Sequence, residues 1–511
     1  MKRRLRSALW KIAYALLLTR AATADDRFDG LDTYIREAMQ KWKIPGLAIA
    51  VVKDDELVVA RGYGVCEMGS DRAVTKDTPF PIASCTKSFT AACIGMLVDE
   101  KKVQWGDPVQ KHWPTFAVAD SYVTQNATLR DILCHRTGLA RGDLLFVKGD
   151  FSNDEILRRL KFLPQAEPFR TKMTYNNLMY GVLGQVIEQK SETPWNQFVE
   201  QRLIRPLGMT STYITRVRVP PDRIATRHRN YDGEIAPVRK PFPDERVAES
   251  GAIYSSVIDM TKWLQMHLHD GEHQRQQLLK PDTIRDMHSL VHAIPIRRQP
   301  DANVYRSKLL GTGYGWFVND YRGRVLIHHG GGWGADMAIV PEERLAVVVL
   351  SNLDFNLLVQ MLTCDMIDAY VVGPERAWSK ENKWDFWFEV GGPEAMFRSR
   401  NEHKADLDKT RAPNTKPSLP LDRYAGRYES DLYGPLFVEY KDGHLSVQFG
   451  IRGGDLDHWQ NDQFYGLSIV EPFLDWLVKF EVTNVKTITS LEVIGVGWKD
   501  PDEKHIFRRM P

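Results

Sequence analysis

Ser84-Cys85-Thr86-Lys87 opens an apolar segment in which Phe89, Ala92, Cys93, Met96 and Leu97 recur at helical spacing. Three residues along a helix is about one turn, which predicts that Ser84 and Lys87 share a face with Cβ atoms roughly 5–6 Å apart. The helix N-terminus leaves free backbone N–H groups and a positive dipole end beside the serine. A serine hydroxyl is a poor nucleophile until a neighbouring base takes its proton, and a desolvated lysine is such a base. Serine and lysine are common residues, so this pair has meaning only if the chain also supplies a second proton carrier, an oxyanion hole and a recognition group.

Two other segments have that content. In Thr174-Tyr175-Asn176-Asn177, a phenol that ordinarily titrates near ~10 stands two residues before an amide. Beside a lysine ammonium the phenolate of Tyr175 is favoured, so it could exchange protons with the serine and a leaving group. Asn177 offers an N–H donor and a C=O acceptor to an amide-like substrate. The plain alternative is a solvent-side tyrosine before an amphipathic helix. In Ile327-His328-His329-Gly330-Gly331-Gly332-Trp333-Gly334 an apolar strand runs into histidines and glycines. A Gly-rich strand edge lets backbone N–H groups approach a ligand closely, as an oxyanion hole requires. Here the alternative is a Gly-rich turn with two surface histidines.

Other short matches fall away. Gly311-Thr312-Gly313 has no preceding cation, and His135-Arg136-Thr137-Gly138 precedes the tyrosine segment without following a strand. His267-Leu268-His269-Asp270 has no third ligand at metal spacing. No G-x-S-x-G is present, which argues against an α/β-hydrolase elbow.

Outward from these segments, Leu47–Val52, a polar turn Lys53-Asp54-Asp55-Glu56 and Leu57–Ala60 read as a hairpin. Helical patterns dominate from about 84 to 290, and strand character returns at Arg324–Ile327 and Ala346–Leu350. Strands from both ends of this region therefore predict one sheet with a helical middle, an α/β domain of two lobes with a cleft between them. The Pro-rich stretch Arg411–Pro420 reads as an extended linker. Beyond it Leu436–Tyr440, the turn Lys441-Asp442-Gly443 and Leu445–Phe449 predict a hairpin in a small all-β barrel or sandwich. The expected organisation is a signal peptide over 1–24, a catalytic domain over 25–398, a linker over 399–420 and an all-β domain over 421–511.

The chain has 511 residues, 43% hydrophobic and 26% charged, with 68 Lys and Arg against 66 Asp and Glu. A net charge of +2 argues against nucleic acid or an acidic membrane as partner. The basic start Lys2, Arg3, Arg4 and Arg6, the apolar run Ala8–Leu18 and Ala22-Thr23-Ala24 read as a cleavable secretory signal. Too short and too charged to span a bilayer stably, it places the mature protein in a periplasm or outside the cell. Five cysteines fit neither a zinc site nor a disulfide framework and read as small buried hydrophobes.

Taken in order, Ser84-x-x-Lys87, Tyr175-x-Asn177 and His328-x-Gly330 resemble the three-motif set of the serine β-lactamase and penicillin-binding protein superfamily. The tyrosine and the histidine look like its class C β-lactamase and esterase branch. Ninety-one residues separate the first two motifs and 153 the last two, as that branch allows. Thr128–Leu139 and Gly251–Met260 look like the same family, and the resemblance covers roughly 27–375. The tail containing Tyr424-Ala425-Gly426-Arg427-Tyr428 resembles the small β-domain that follows many such catalytic domains.

The resemblance implies a fold of an antiparallel sheet flanked by helices plus a helical lobe. It also implies that Ser84 is acylated, that Lys87 and Tyr175 move protons, and that Asn177 holds a substrate amide or ester. The N–H groups of Ser84 and Gly331 would hold the oxyanion. His328 would stand where many relatives carry lysine. A histidine is largely neutral near pH 7, so carboxylate-bearing β-lactams and D-Ala peptides are disfavoured, as the replacement of a small hydroxyl residue by His329 also suggests. The expectation is a serine hydrolase without metal or cofactor, acting on small esters, then on amides or D-amino-acid peptides, and last on β-lactams. The contrasting expectation is a binding or sensor domain that keeps the cleft without turnover.

Overall fold

The computed structural model describes residues 26–231, 233–238, 245–296, 305, 307–374, 405, 408–466, 475–496 and 505–511. The expected signal peptide and part of the expected linker lie outside the described residues.

The first hairpin forms strands β1 (Gly46–Lys53) and β2 (Glu56–Gly64). Asp54 and Asp55 both take positive φ, 50° and 70°, as a two-residue type I′ turn demands, so the turn is tighter than the four polar residues predicted. The sheet is completed by β3 (His292–Ala293), β4 (Leu310–Thr312), β5 (Phe317–Tyr321), β6 (Arg324–Gly331), β7 (Ala335–Val340) and β8 (Leu345–Ser351). Their order is β2-β1-β8-β7-β6-β5-β4-β3, antiparallel throughout. β1 lies against β8, pairing Leu47 with Ser351 and Lys53 with Leu345. Both strands are buried on both faces, which explains their unbroken apolar runs.

Helices cover each face of the sheet. Helices α1 (Leu31–Lys41) and α6 (Leu358–Val371) share one core cluster with Leu47, Ile49, Val51 and Ala338. The opposite face, carrying Ala48, Ala50, Ile327 and Met337, packs in a second cluster with the helical lobe. That lobe contributes α2 (Thr86–Asp99), α3 (Leu144–Val147) and α4 (Leu178–Ser191), and α5 (Val257–Leu268) packs in the same cluster. Helix α2 is buried from Thr86 to Leu97, so its apolar residues extend all round and the helical periodicity in the sequence is shallow.

The C-terminal part is a closed barrel: β9 (Gly426–Ser430), β10 (Gly434–Lys441), β11 (His444–Phe449), β12 (Arg452–Gln460), β13 (Gln463–Gly466), β14 (Asp475–Val482), β15 (Ile488–Val496) and β16 (His505–Arg509). Closure comes from β9 against β16, with Tyr428 opposite Arg509, so the barrel rather than the sandwich is realised. Its interior is filled by Tyr428, Phe464, Phe480, Leu491 and Phe507. The Asp442-Gly443 turn joins β10 and β11 with φ of 51° and 85°. All five cysteines are free and buried. No helix among the described residues is long and apolar enough to cross a membrane.

Candidate active site

Ser84 lies in a 3-10 turn, Ala83–Cys85, that leads directly into α2. Ala83 before it has φ 45°, a left-handed conformation uncommon for a residue with a Cβ and frequent where structure is held under strain for function. One turn on from Ser84, at the second residue of α2, the Lys87 amine lies 3.3 Å from Ser84 Oγ, 2.8 Å from Asn177 Oδ1 and 2.8 Å from the Ser250 carbonyl oxygen. Lys87 is fully buried, and that burial pulls its amine down to about 7 despite the opposing pull of the Asp143 carboxylate. Desolvation of this size disfavours the ammonium by on the order of 5 kcal/mol. Lys87 donates to Asn177 and Ser250, which leaves its third position on the Ser84 hydroxyl, and once deprotonated the amine has a lone pair within reach of that hydroxyl.

Asn177 ends the turn before α4, and its side chain makes no cap. Its Oδ1 accepts from Lys87 and its Nδ2 donates to Asp143 Oδ1 at 3.1 Å, which fixes the orientation of the amide. One N–H and one lone pair remain for a substrate. The neighbouring Asn176 is spent on structure: it is buried, donates to the Ala140 carbonyl and accepts from the Met179 N–H. Asp143 also accepts from Arg141 at 2.6 Å, so that cation is answered within the site.

Tyr175 faces this group, its ring centroid 4.8 Å from Lys87 Nζ and 5.5 Å from the Arg141 guanidinium carbon. Burial raises its hydroxyl well above the ordinary phenol value, a pull that hydrogen bonding to Ser84 only partly offsets. The resting group is therefore the phenol, not the phenolate expected beside an ammonium, because burial of Tyr175 itself disfavours the charged form. His135 stacks on Tyr175 at 4.3 Å between centroids, and its Nδ1 accepts from the Asn176 N–H. The His135 segment is not a strand-end motif, but its imidazole forms the floor under Tyr175. Spacing gave no signal for that contact, or for Arg141 and Asp143, since all three come from loops.

Strand β6 supplies the third wall. In the β6–β7 register His329 stands opposite Met337, on the face toward the helical lobe, where burial first and the nearby Lys87 second depress its imidazole to about 3. His328 stands opposite Ala338, on the other face, where it packs 4.4 Å from Tyr305. The strand's two-residue period thus turns His328 away from Lys87, and His329 is the imidazole on the catalytic face. Gly330 shares the side of His328, and a Cβ there would lie 3.4 Å from Asp336 Oδ1. Gly331 shares the side of Ser84, and a Cβ there would lie 2.4 Å from the Ile82 carbonyl oxygen and 3.1 Å from Ala83 Cβ. Only a residue without a side chain lets β6 come this close to the turn that carries the serine. The side chain of Cys85 takes part as well, its thiol donating to the His329 carbonyl at 3.1 Å.

The family model described as Beta-lactamase matches residues 31–359. The chain belongs to the β-lactamase family. As a β-lactamase-family serine hydrolase it carries a second matched region, a domain of unknown function (DUF3471), over residues 410–505. It is 30% identical over 454 residues to an unguisins hydrolase of Aspergillus violaceofuscus, covering 80% of this chain and 76% of that protein. It is 28% identical to penicillin-binding protein 4 of Amycolatopsis lactamdurans, covering 64% of this chain and 84% of the relative. Two solved structures share the fold of this β-lactamase-family chain. The octameric penicillin-binding protein homologue of Pyrococcus abyssi has a TM-score of 0.54 at 20% identity, covering 94% of this chain and 99% of its own. The D-amino acid amidase of Ochrobactrum anthropi has a TM-score of 0.58 at 22% identity, covering 70% and 100%.

Proposed function

We propose that this protein hydrolyses small esters or amides through an acyl-enzyme on Ser84. The observation that carries the reading is the buried Lys87 amine, lowered to about 7 and aimed at the Ser84 hydroxyl by two fixed acceptors. Lys87 takes the serine proton as Oγ attacks the carbonyl carbon, and the C–O bond to the enzyme forms. The N–H groups of Ser84 and Gly331 hold the oxyanion as the tetrahedral species forms. Tyr175, a phenol at rest, donates its proton to the departing alkoxide or amine and is reprotonated from Lys87. Water then repeats the sequence on the acyl group, and Ser84 leaves with a proton.

The third motif supports neutral substrates over carboxylates. His328 and His329 are both depressed to about 3 by burial, so neither is a cation at neutral pH. The relation to proteins named unguisins hydrolases supports turnover, and the D-amino acid amidase that shares the fold keeps amides as the second substrate class of this reading. Export to a periplasm or the cell exterior remains part of this proposal, on the basic and apolar N-terminus.

A fluorophosphonate probe tests the reading. The wild-type protein is expected to gain one probe mass on Ser84, and Ser84→Ala none, while turnover of p-nitrophenyl esters and D-aminoacyl anilides separates the two substrate classes. A wild-type protein that takes up no probe and turns over neither class is the binding or sensor protein instead.

A further inference from the structure

Among the described residues, the C-terminal barrel meets the catalytic part along 144–159, a stretch continuous with the site. Asp143, which holds Asn177, is followed at once by α3 (Leu144–Val147) and then by Lys148. A helix of one turn cannot hold its own shape, so its position is set by what it packs against. Much of what it packs against is the barrel. Arg452, fully buried at the start of β12, donates from Nε to the Val147 carbonyl at 3.0 Å. The Ile451 N–H donates to the Lys148 carbonyl at 2.9 Å. Lys148, also fully buried, donates from Nζ to the Tyr433 carbonyl at 2.9 Å and stands 3.1 Å from Asp150. Leu144 faces Leu436, Phe449, Val493 and Phe507 at the end of the barrel.

Two glycines let the surfaces meet. A Cβ on Gly149 would lie 2.5 Å from Ile451 Cδ1, and one on Gly450 would lie 2.4 Å from the Lys148 carbonyl, both at positive φ. Buried cations and left-handed glycines on both sides of a contact mark it as built, since each is costly without the other surface.

We propose that the C-terminal barrel is a positioning module for the catalytic site, acting through Arg452, Ile451 and Tyr433 on the 144–148 turn. The turn seats Asp143, Asp143 orients Asn177, and Asn177 holds Lys87 against Ser84. The barrel contributes no atom to the reaction. It keeps the lysine amine aimed, so the hydrolase is competent only while the two parts are docked. This inference rests on the reading of Ser84 and Lys87 as nucleophile and base.

The test uses the full chain with I451G/R452A, R452K and Y440A, the last altering an exposed tyrosine toward the opposite end of β10. Hydrogen–deuterium exchange over 141–151 reports the seat, and kcat and KM for the best ester report its consequence. In I451G/R452A, exchange over 141–151 is expected to rise and kcat to fall at least tenfold, with KM changed less than about threefold. R452K keeps a donor and should recover part of kcat, and Y440A should match wild type in both measurements. Increased exchange with kcat within twofold of wild type overturns the proposal, as does unchanged exchange, or an equal loss in Y440A. Wild-type protein inert to the fluorophosphonate defeats the hydrolase reading itself. The exchange comparison then judges whether the barrel seats the turn.

Discussion

Lys87 carries a choice that only its surroundings make. A lysine buried without a carboxylate against it gives up its charge rather than pay the desolvation cost. Here the amine ends near neutrality, where it can both accept and return a proton. The sign for activity follows directly. Below about pH 7 the amine is protonated and cannot accept the serine proton, so kcat/KM is expected to fall about tenfold per pH unit on the acid side. A pH profile of kcat/KM with no acid limb between about pH 6 and 8 would remove Lys87 from the role of base. Lys87→Met is expected to lower kcat/KM by about 10²–10⁴, the usual worth of a positioned base, with the fold retained by circular dichroism.

At the scale of elements, β6 shows what one strand can do with two faces. Its residues alternate between the site and the opposite core, so His328 and Gly330 point one way, His329 and Gly331 the other. Gly331→Val places a side chain where the Ile82 carbonyl already stands. It should cost at least tenfold in kcat, read against Tm, because β6 must retreat from the Ser84 turn. On the opposite face Asp336 is fully buried, and burial raises its carboxyl to about 7. Between about pH 4 and 7 the unfolded chain loses this proton before the folded one does, so the folded state loses stability as pH rises through that window. Asp336→Asn removes the effect. Its Tm relative to wild type should climb from pH 4 to pH 7 and stay level above, and a difference independent of pH would contradict the burial argument.

The order Ser84, Lys87, Tyr175, Asn177 was legible because those residues flank helix starts, where composition and spacing carry information. The same reasoning named Asn177 rather than Asn176, but it placed His328 at the site where the fold presents His329. Neighbouring residues of one type differ only in the face they present, and a strand's phase is set by its partners. Arg141, Asp143 and His135 gave no periodic signal, as they sit in loops whose paths are set by packing.

Across the whole molecule, one apolar cluster runs from α2 and β7 through the helical lobe into the barrel residues Leu436, Phe449 and Phe507. Residues that share a core tend to lose it together. Scanning calorimetry of the full chain is therefore expected to show a single transition, and two well-resolved transitions would mean that the barrel and the catalytic part melt apart.

The linear chain was sufficient for the α/β class, the two hairpins, the trailing all-β unit and the Ser84–Lys87 pair. Each of these is written in local spacing or in apolar period, which survive without knowledge of neighbours. The protonation of Lys87 and Tyr175, the imidazole that faces the site, the closure of the barrel and its seat on the 144–148 turn came from the folded molecule alone. Burial and long-range register create those properties, and both arise from contacts between residues tens to hundreds of positions apart.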